Sequence, residues 1–260
     1  MTKRQGFSAI VDALGIPAGA RVDTRVPKKL LVEQGMPTAA DKRAVQDGIE
    51  DIHWIGALKP NTVGVKAFSD DVREYLEVAV LTLALKTDAK TSRLIELIHR
   101  AIPYPVLLVS DDGAGPVLSL AHKRHAQNEA GKVVIEDLVA TPPLGRLSED
   151  LVAAFLASLA VSRQPSRDLH ALFEGWRSRI EALIAAEIAG TFAPSDDVAV
   201  VERRRAALAE YERLTKEAAQ LKAQAARAKQ INQKVEINQK IKAITDALAS
   251  HKQVLIGGAP

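Results

Sequence analysis

Between Val198 and Gln253 the chain contains neither proline nor glycine, and the next residue of either type is Gly257. Ala, Lys, Gln, Glu and Arg dominate the stretch, and all five are strong helix formers. One long helix or a helical hairpin is therefore expected there. Leu214, Ala218, Leu221, Ala225, Ala228, Ile231 and Val235 succeed one another at steps of four and three, the spacing of a coiled-coil seam. Alanines fill the middle of that seam, so it buries little area alone. Packing against a partner or against the rest of the chain is expected to complete it. Asn232 and Asn238 fall near the seam and are expected to specify register, as buried polar seam residues do. The run Ile231-Asn232-Gln233-Lys234 recurs as Ile237-Asn238-Gln239-Lys240, but a spacing of six is not a heptad, and we read it as local similarity.

Charge sets this segment apart. From Val201 to Gln253 there are 12 Lys/Arg against 6 Asp/Glu, out of 35 and 32 in the whole chain. The remainder thus carries 23 basic and 26 acidic residues, and the net +3 of the protein belongs to its C-terminal part. Such a split points to an acidic counter-surface, phosphate or carboxylate. The chain has no cysteine, which removes disulfides, thiolate metal sites and cysteine nucleophiles and suits a reducing compartment. The basic start is followed by an apolar stretch broken at Asp12, Gly15 and Pro17, so no secretory signal is expected. No uninterrupted apolar run reaches transmembrane length, and a soluble, cytoplasmic protein is expected.

Upstream, four segments are expected: 1–50, 51–145, 146–193 and 194–260. The first reads as short helices. Ile10 and Leu14 lie one turn apart before Gly15-Ile16-Pro17, Pro27 suits a first helical position, and Thr38 with Asp41 approximates a capping box. The second reads as a sheet. Trp54-Ile55 and Val63-Gly64-Val65 flank a Lys59-Pro60-Asn61 turn, as two short strands or one broken strand. Tyr75 to Leu85 is apolar enough for a strand buried on both faces. Thr87-Asp88 then caps a helix carrying Leu94, Ile98 and Ile102 on one side. Val106 to Val109, Val117 to Leu120 and Lys132 to Ile135 are further strands, the first two joined by Asp111-Asp112-Gly113 turn chemistry. The third segment is helical, with Leu169, Leu172, Phe173, Trp176, Ile180, Leu183, Ile184 and Ile188 at helical spacing and Gly190 as the stop. The fourth is the basic segment described above. The fold class expected is α+β: a mixed-sheet body with flanking helices, followed by a long C-terminal helix or helical hairpin of coiled-coil type.

Four motifs occur in order: Val26-Pro27-Lys28-Lys29; Ile52-His53-Trp54 with Leu58-Lys59-Pro60-Asn61-Thr62; Ala101-Ile102-Pro103-Tyr104-Pro105; and Gln230-Ile231-Asn232-Gln233-Lys234-Val235-Glu236-Ile237-Asn238. Together they resemble the bacterial domain-of-unknown-function 4391 family over roughly residues 25–248. The resemblance carries no established activity. It implies a genomic setting beside helicases and restriction-modification methyltransferases, and so a context of antiviral defence.

Candidate chemistry is sparse. A metal-dependent nuclease of the restriction type needs an Asp before a strand bearing an acid, one spacer and Lys. The nearest match is Asp70 or Asp71 with Ala84-Leu85-Lys86, where alanine replaces the second acid and Glu77 is the only substitute in reach. His122 and His125, with Asp111 and Asp112 upstream, read as solvated loop residues and not as a metal cluster. His99 beside Arg100 reads as a helix-end dipole partner. No cofactor, metal or catalytic residue is assigned, and the chain is read as a binding component before an enzyme.

The positions assigned a role are Lys222, Arg227, Lys229, Asn232, Lys234, Asn238, Lys240 and Lys242. Glu236 is the lone acid among them. The leading expectation is an accessory or adaptor subunit binding a protein partner through body and C-terminal helix. The helicase or methyltransferase type of partner is what the family resemblance implies, and a homo-oligomer through the helix is the other option. The first alternative is a nucleic-acid-binding protein using the basic helix. A degenerate nuclease is the second.

Overall fold

The computed structural model describes residues 3–35, 37–126 and 133–255. Met1 and Thr2 of the basic start, Lys132 of the expected strand, and Gly257 onward lie outside the described residues. The chain divides into two compact units, Met1–Ile180 and Glu181–Pro260.

The first unit begins with α1 (Lys3–Leu14), β1 (Arg21–Arg25), α2 (Lys28–Gly35) and α3 (Ala39–Gly48). The Thr38 hydroxyl accepts from the Asp41 amide at 3.1 Å and satisfies one orphan donor of α3, as the capping pattern implied. Next come β2 (Ile49–Leu58), the single turn α4 (Pro60–Val63), the small hairpin β3 (Phe68–Ser69) and β4 (Glu74–Tyr75), and β5 (Val78–Leu85). Where the sequence reads as two short strands or one broken strand around Lys59-Pro60-Asn61, the fold has one ten-residue strand followed by a helical turn. Pro60 enters α4 at its first position, Thr62 accepts from the Lys59 amide at 2.9 Å, and Gly64 closes the turn at φ 70°. Val63 and Val65 therefore lie outside the sheet.

The unit continues with α5 (Thr91–Ala101), β6 (Val106–Asp111), β7 (Val117–His125), β8 (Val133–Ala140), α6 (Glu149–Ala157) and α7 (Leu169–Ala189), in which the division between the units falls. The six-stranded sheet runs β1-β2-β5-β6-β7-β8. The β5–β6 pair, bridged by α5, is parallel, and the other neighbours are antiparallel. It is a mixed α+β sheet with flanking helices. Alternate residues of β5, namely Ala79, Leu81, Leu83 and Leu85, pack with Leu94, Ile95, Leu97 and Ile98 of α5 and with Val45 of α3. On β7, Ser119 and Lys123 turn the same way, toward α5, while His122 turns the other way, toward Phe173 of α7. Burial on both faces is why β5 reads as an unbroken apolar run. The edge strand β1 is exposed throughout and rich in charge, so hydropathy does not announce it; backbone pairing with β2 holds it.

In the second unit, α8 (Val198–Arg227) and α9 (Ile231–Leu255) fold back on each other across Ala228, Lys229 and Gln230, as a hairpin. Asp197 caps α8, its carboxylate accepting from the Ala199 and Val200 amides. Leu214, Ala218 and Leu221 meet Ile244, Ala247 and Leu248. Nearer the ends of the two helices, Ala207 and Leu208 meet Val254, Leu255, and Ala185, Ile188 and Ala189 of α7. The alanine-rich edge is thus completed by α9 of the same chain. No helix among the described residues is long and apolar enough to cross a membrane.

Candidate functional site

The seam residues expected on α8 face α9 as far as Leu221, but Ile231 and Val235 do not join them: they are 78% and 50% exposed. The three-residue turn resets the phase, and on α9 the seam passes to Ile237 and Ile244. Asn232 and Asn238 consequently project into solvent, which removes the register-setting role expected of them. All eight assigned residues, Lys222, Arg227, Lys229, Asn232, Lys234, Asn238, Lys240 and Lys242, are exposed. At 1.5 Å per residue they lie within about 20 Å of the turn along the helix axes. Lys234, Asn238 and Lys242 recur at steps of four and share a stripe of α9. Around the turn, Gln224, Arg227, Lys229, Gln230, Gln233 and Glu236 line an open groove of about 780 Å³.

Charge pairing separates the two ends of the hairpin. Away from the turn, Arg213 bonds Glu210 and Glu217, Lys216 bonds Glu212, and Arg205 holds the buried Glu181 at 2.9 Å. Near the turn, none of Lys222, Arg227, Lys229, Lys234, Lys240 and Lys242 is within ion-pair distance of a carboxylate among the described residues. Six cations with one acid, Glu236, among them and Asp246 one turn beyond Lys242 repel one another, and these two carboxylates offset only part of that field.

The nuclease arrangement is not assembled from the residues first matched to it. Asp70 caps the β3–β4 turn, accepting from the Val72 and Arg73 amides, which hold its carboxyl below the usual range. Glu77 precedes β5 and pairs with Lys59 at 3.0 Å, while Lys86 follows the far end of the same strand. Across the ladder from Ala84 stands Asp51 of β2. Its carboxylate accepts from Arg25 and contacts His53, each at 2.7 Å, beside a cleft of about 550 Å³ that Thr82 and Ala84 also line. A guanidinium thus sits where a cation would have to enter.

The histidines divide differently from the sequence reading. His99 is completely buried, with Nε2 3.1 Å from Ser119 Oγ, and burial, assisted by Lys123, lowers its pKa to about 3. Lys123 is itself buried and donates to the carbonyls of Ile102 and Tyr104 just past α5; burial lowers its pKa to about 7. His125 is exposed, but His122 is only 2% exposed, because β7 runs through it to His125. The loop expected there is strand. His122 Nδ1 meets the Tyr75 hydroxyl, and its Nε2 lies 2.8 Å from Glu174 Oε1. His170 stands one helical turn before Glu174 on α7, stacked on Phe68 at 4.9 Å. One ligand atom each from His122, His170 and Glu174 lie within 4.8 Å of one another. The spacing His170-x-x-x-Glu174 was the available signal for two of the three members of this group. Its third member comes from a strand 48 residues earlier, and no local pattern joins it to the helix.

A mixed-sheet body with a basic helical hairpin defines the class. The chain belongs to the family described as Domain of unknown function (DUF4391), whose model matches residues 14–248. No curated protein and no solved structure matches it.

Proposed function

We propose that this protein is a binding component whose helical hairpin presents its basic turn to the phosphate backbone of a nucleic acid. The observation that carries the reading is that, among the described residues, none of these six clustered cations is within ion-pair distance of a carboxylate, whereas Arg205, Arg213 and Lys216 farther from the turn are paired. Phosphates would replace the missing counter-charges and release condensed ions, which is the main source of sequence-independent affinity. Asn232, Gln233, Asn238 and Gln239 among the lysines add neutral donors for phosphate or sugar oxygens. Tyr211 is the sole aromatic of the hairpin, so backbone contact is favoured over base stacking. The test is fluorescence anisotropy with single- and double-stranded DNA and RNA over a range of salt. Binding should weaken steeply as salt rises and disappear when Lys229, Lys234, Lys240 and Lys242 are all reversed to Glu. Unchanged binding in that variant, or none to any of these probes at low salt, refutes the proposal.

A second reading, the accessory subunit, is favoured by Ile231 and Val235, two exposed apolar side chains one turn apart beside those cations. The packed seam between α8 and α9 weakens its original premise, since the alanine edge no longer requires a partner helix. A partner recovered from the native host in the presence of nuclease, and lost on Ile231→Asp, would favour it. A helicase- or methyltransferase-type partner remains an implication of the family resemblance. The degenerate nuclease retains only Asp51 beside Ala84, with Arg25 in the cation's place.

A further inference from the structure

We propose that His122, His170 and Glu174 form a binding site for one divalent transition-metal ion of the zinc class, joining α7 to strand β7. Two imidazoles and a carboxylate are the donor set that zinc takes in many sites with an open fourth position, and this cysteine-free chain offers no thiolate alternative.

Three features support the site. First, the three ligand atoms already converge within 4.8 Å. Ligands about 2.1 Å from a tetrahedral ion stand roughly 3.4 Å apart, so only small rotations separate the present arrangement from a coordinating one. Second, the Nε2 atoms of both His122 and His170 are buried without a hydrogen-bond partner. Glu174 Oε1 approaches His122 Nε2 to 2.8 Å but does not form a directed hydrogen bond with it, so this close contact leaves the nitrogen unsatisfied. Two unsatisfied buried nitrogens beside a carboxylate are costly for a core and useful for a cation. Third, the surroundings hold the rings. Tyr75, fully buried, meets His122 Nδ1, so that Nδ1–H can donate to the phenol oxygen while Nε2 faces the ion. His170 packs against Phe68 and Tyr75, with ring centroids 4.9 Å from each. The site needs no part of the basic hairpin, so it stands or falls apart from nucleic-acid binding.

The experiment uses the full-length, tag-free protein stripped with chelator and titrated with zinc by calorimetry and with cobalt by visible absorption. One equivalent is expected to bind, with a four-coordinate cobalt spectrum and a higher melting temperature. His170→Gln and Glu174→Gln should each weaken binding at least about tenfold. His125→Gln, at an exposed position, should leave it unchanged. Should the site variants unfold, imidazole nitrogen resonances of the wild type decide the matter: two of the six histidines should shift in one-to-one proportion with zinc, and His99 should not. No saturable binding at micromolar zinc overturns the proposal. So does binding that survives both site variants or is lost in the exposed-histidine control.

Discussion

Acid should act on the body through His99. Its imidazole has no solvent exposure, one ring nitrogen reaches only Ser119 Oγ, and Nδ1 has no partner. Protonation would place a second cation close to the buried Lys123. The folded-state pKa of about 3 lies below the ordinary 6.5, so the unfolded chain binds the proton first as pH falls. His99 therefore imposes no penalty above pH 6.5, and stability is lost progressively from there toward pH 3. Between pH 7 and pH 5 the loss amounts to about 1.5 pH units of linkage, or about 2 kcal/mol. The assay is urea unfolding followed by tryptophan fluorescence. Both tryptophans, Trp54 and Trp176, lie in the first unit, so the signal reports that unit and not the hairpin. His99→Gln keeps a polar group for Ser119 but cannot titrate. Other acid-sensitive groups act equally in both proteins, so the difference between them isolates His99. The wild type should lose about 2 kcal/mol more than the variant on going from pH 7 to pH 5. Equal losses would refute the burial argument.

Three further outcomes follow from the hairpin. Ile244→Ala removes a buried seam residue opposite Leu214 and Ala218 and should destabilise the hairpin by about 2 kcal/mol, read as a lower melting temperature of helical circular dichroism. Asn238→Ala, at an exposed position, should change stability by less than about 0.5 kcal/mol; a larger loss would restore the register role. Lys234→Gln should reduce the slope of log affinity against log salt by about 0.9 for duplex DNA if that side chain meets a phosphate. An unchanged slope removes Lys234 from the interface.

Much of the body was legible because local chemistry and tertiary placement agree. The Thr38 cap, the doubly buried run of β5 and the Asp111 turn each have one low-energy reading. Asp111 Oδ1 accepts from the Gly113 amide at 2.7 Å and joins β6 to β7 as that chemistry requires. The failures have a common cause in contacts distant along the chain. β1 is polar, and only its ladder to β2 makes it a strand. His122 looked like a loop residue because the fold, and no neighbour in sequence, encloses it with Tyr75 and Phe173. The seam spacing holds on α8 as far as Leu221 and leaves Ile231 and Val235 exposed beyond the turn, because a periodic pattern carries no mark of a reversal until a turn shifts its phase.

That reversal also explains why the basic cluster stands out more in the fold than in the sequence. Along one uninterrupted helix, the cations from Lys222 to Lys242 would stretch over roughly 30 Å at 1.5 Å per residue. Folding at Ala228 to Gln230 brings both arms to the same end and halves that span, so the like charges reinforce one another over a distance comparable to the Debye length of about 8 Å at physiological salt. Few acids can relieve them: Glu210, Glu212 and Glu217 are already held by Arg213 and Lys216 through helical i,i+3 and i,i+4 pairs, which leaves Glu236 and Asp246 beside six cations. A closed hydrophobic seam fixes the two arms together while leaving this field unmatched, and an external polyanion is the simplest partner that could match it.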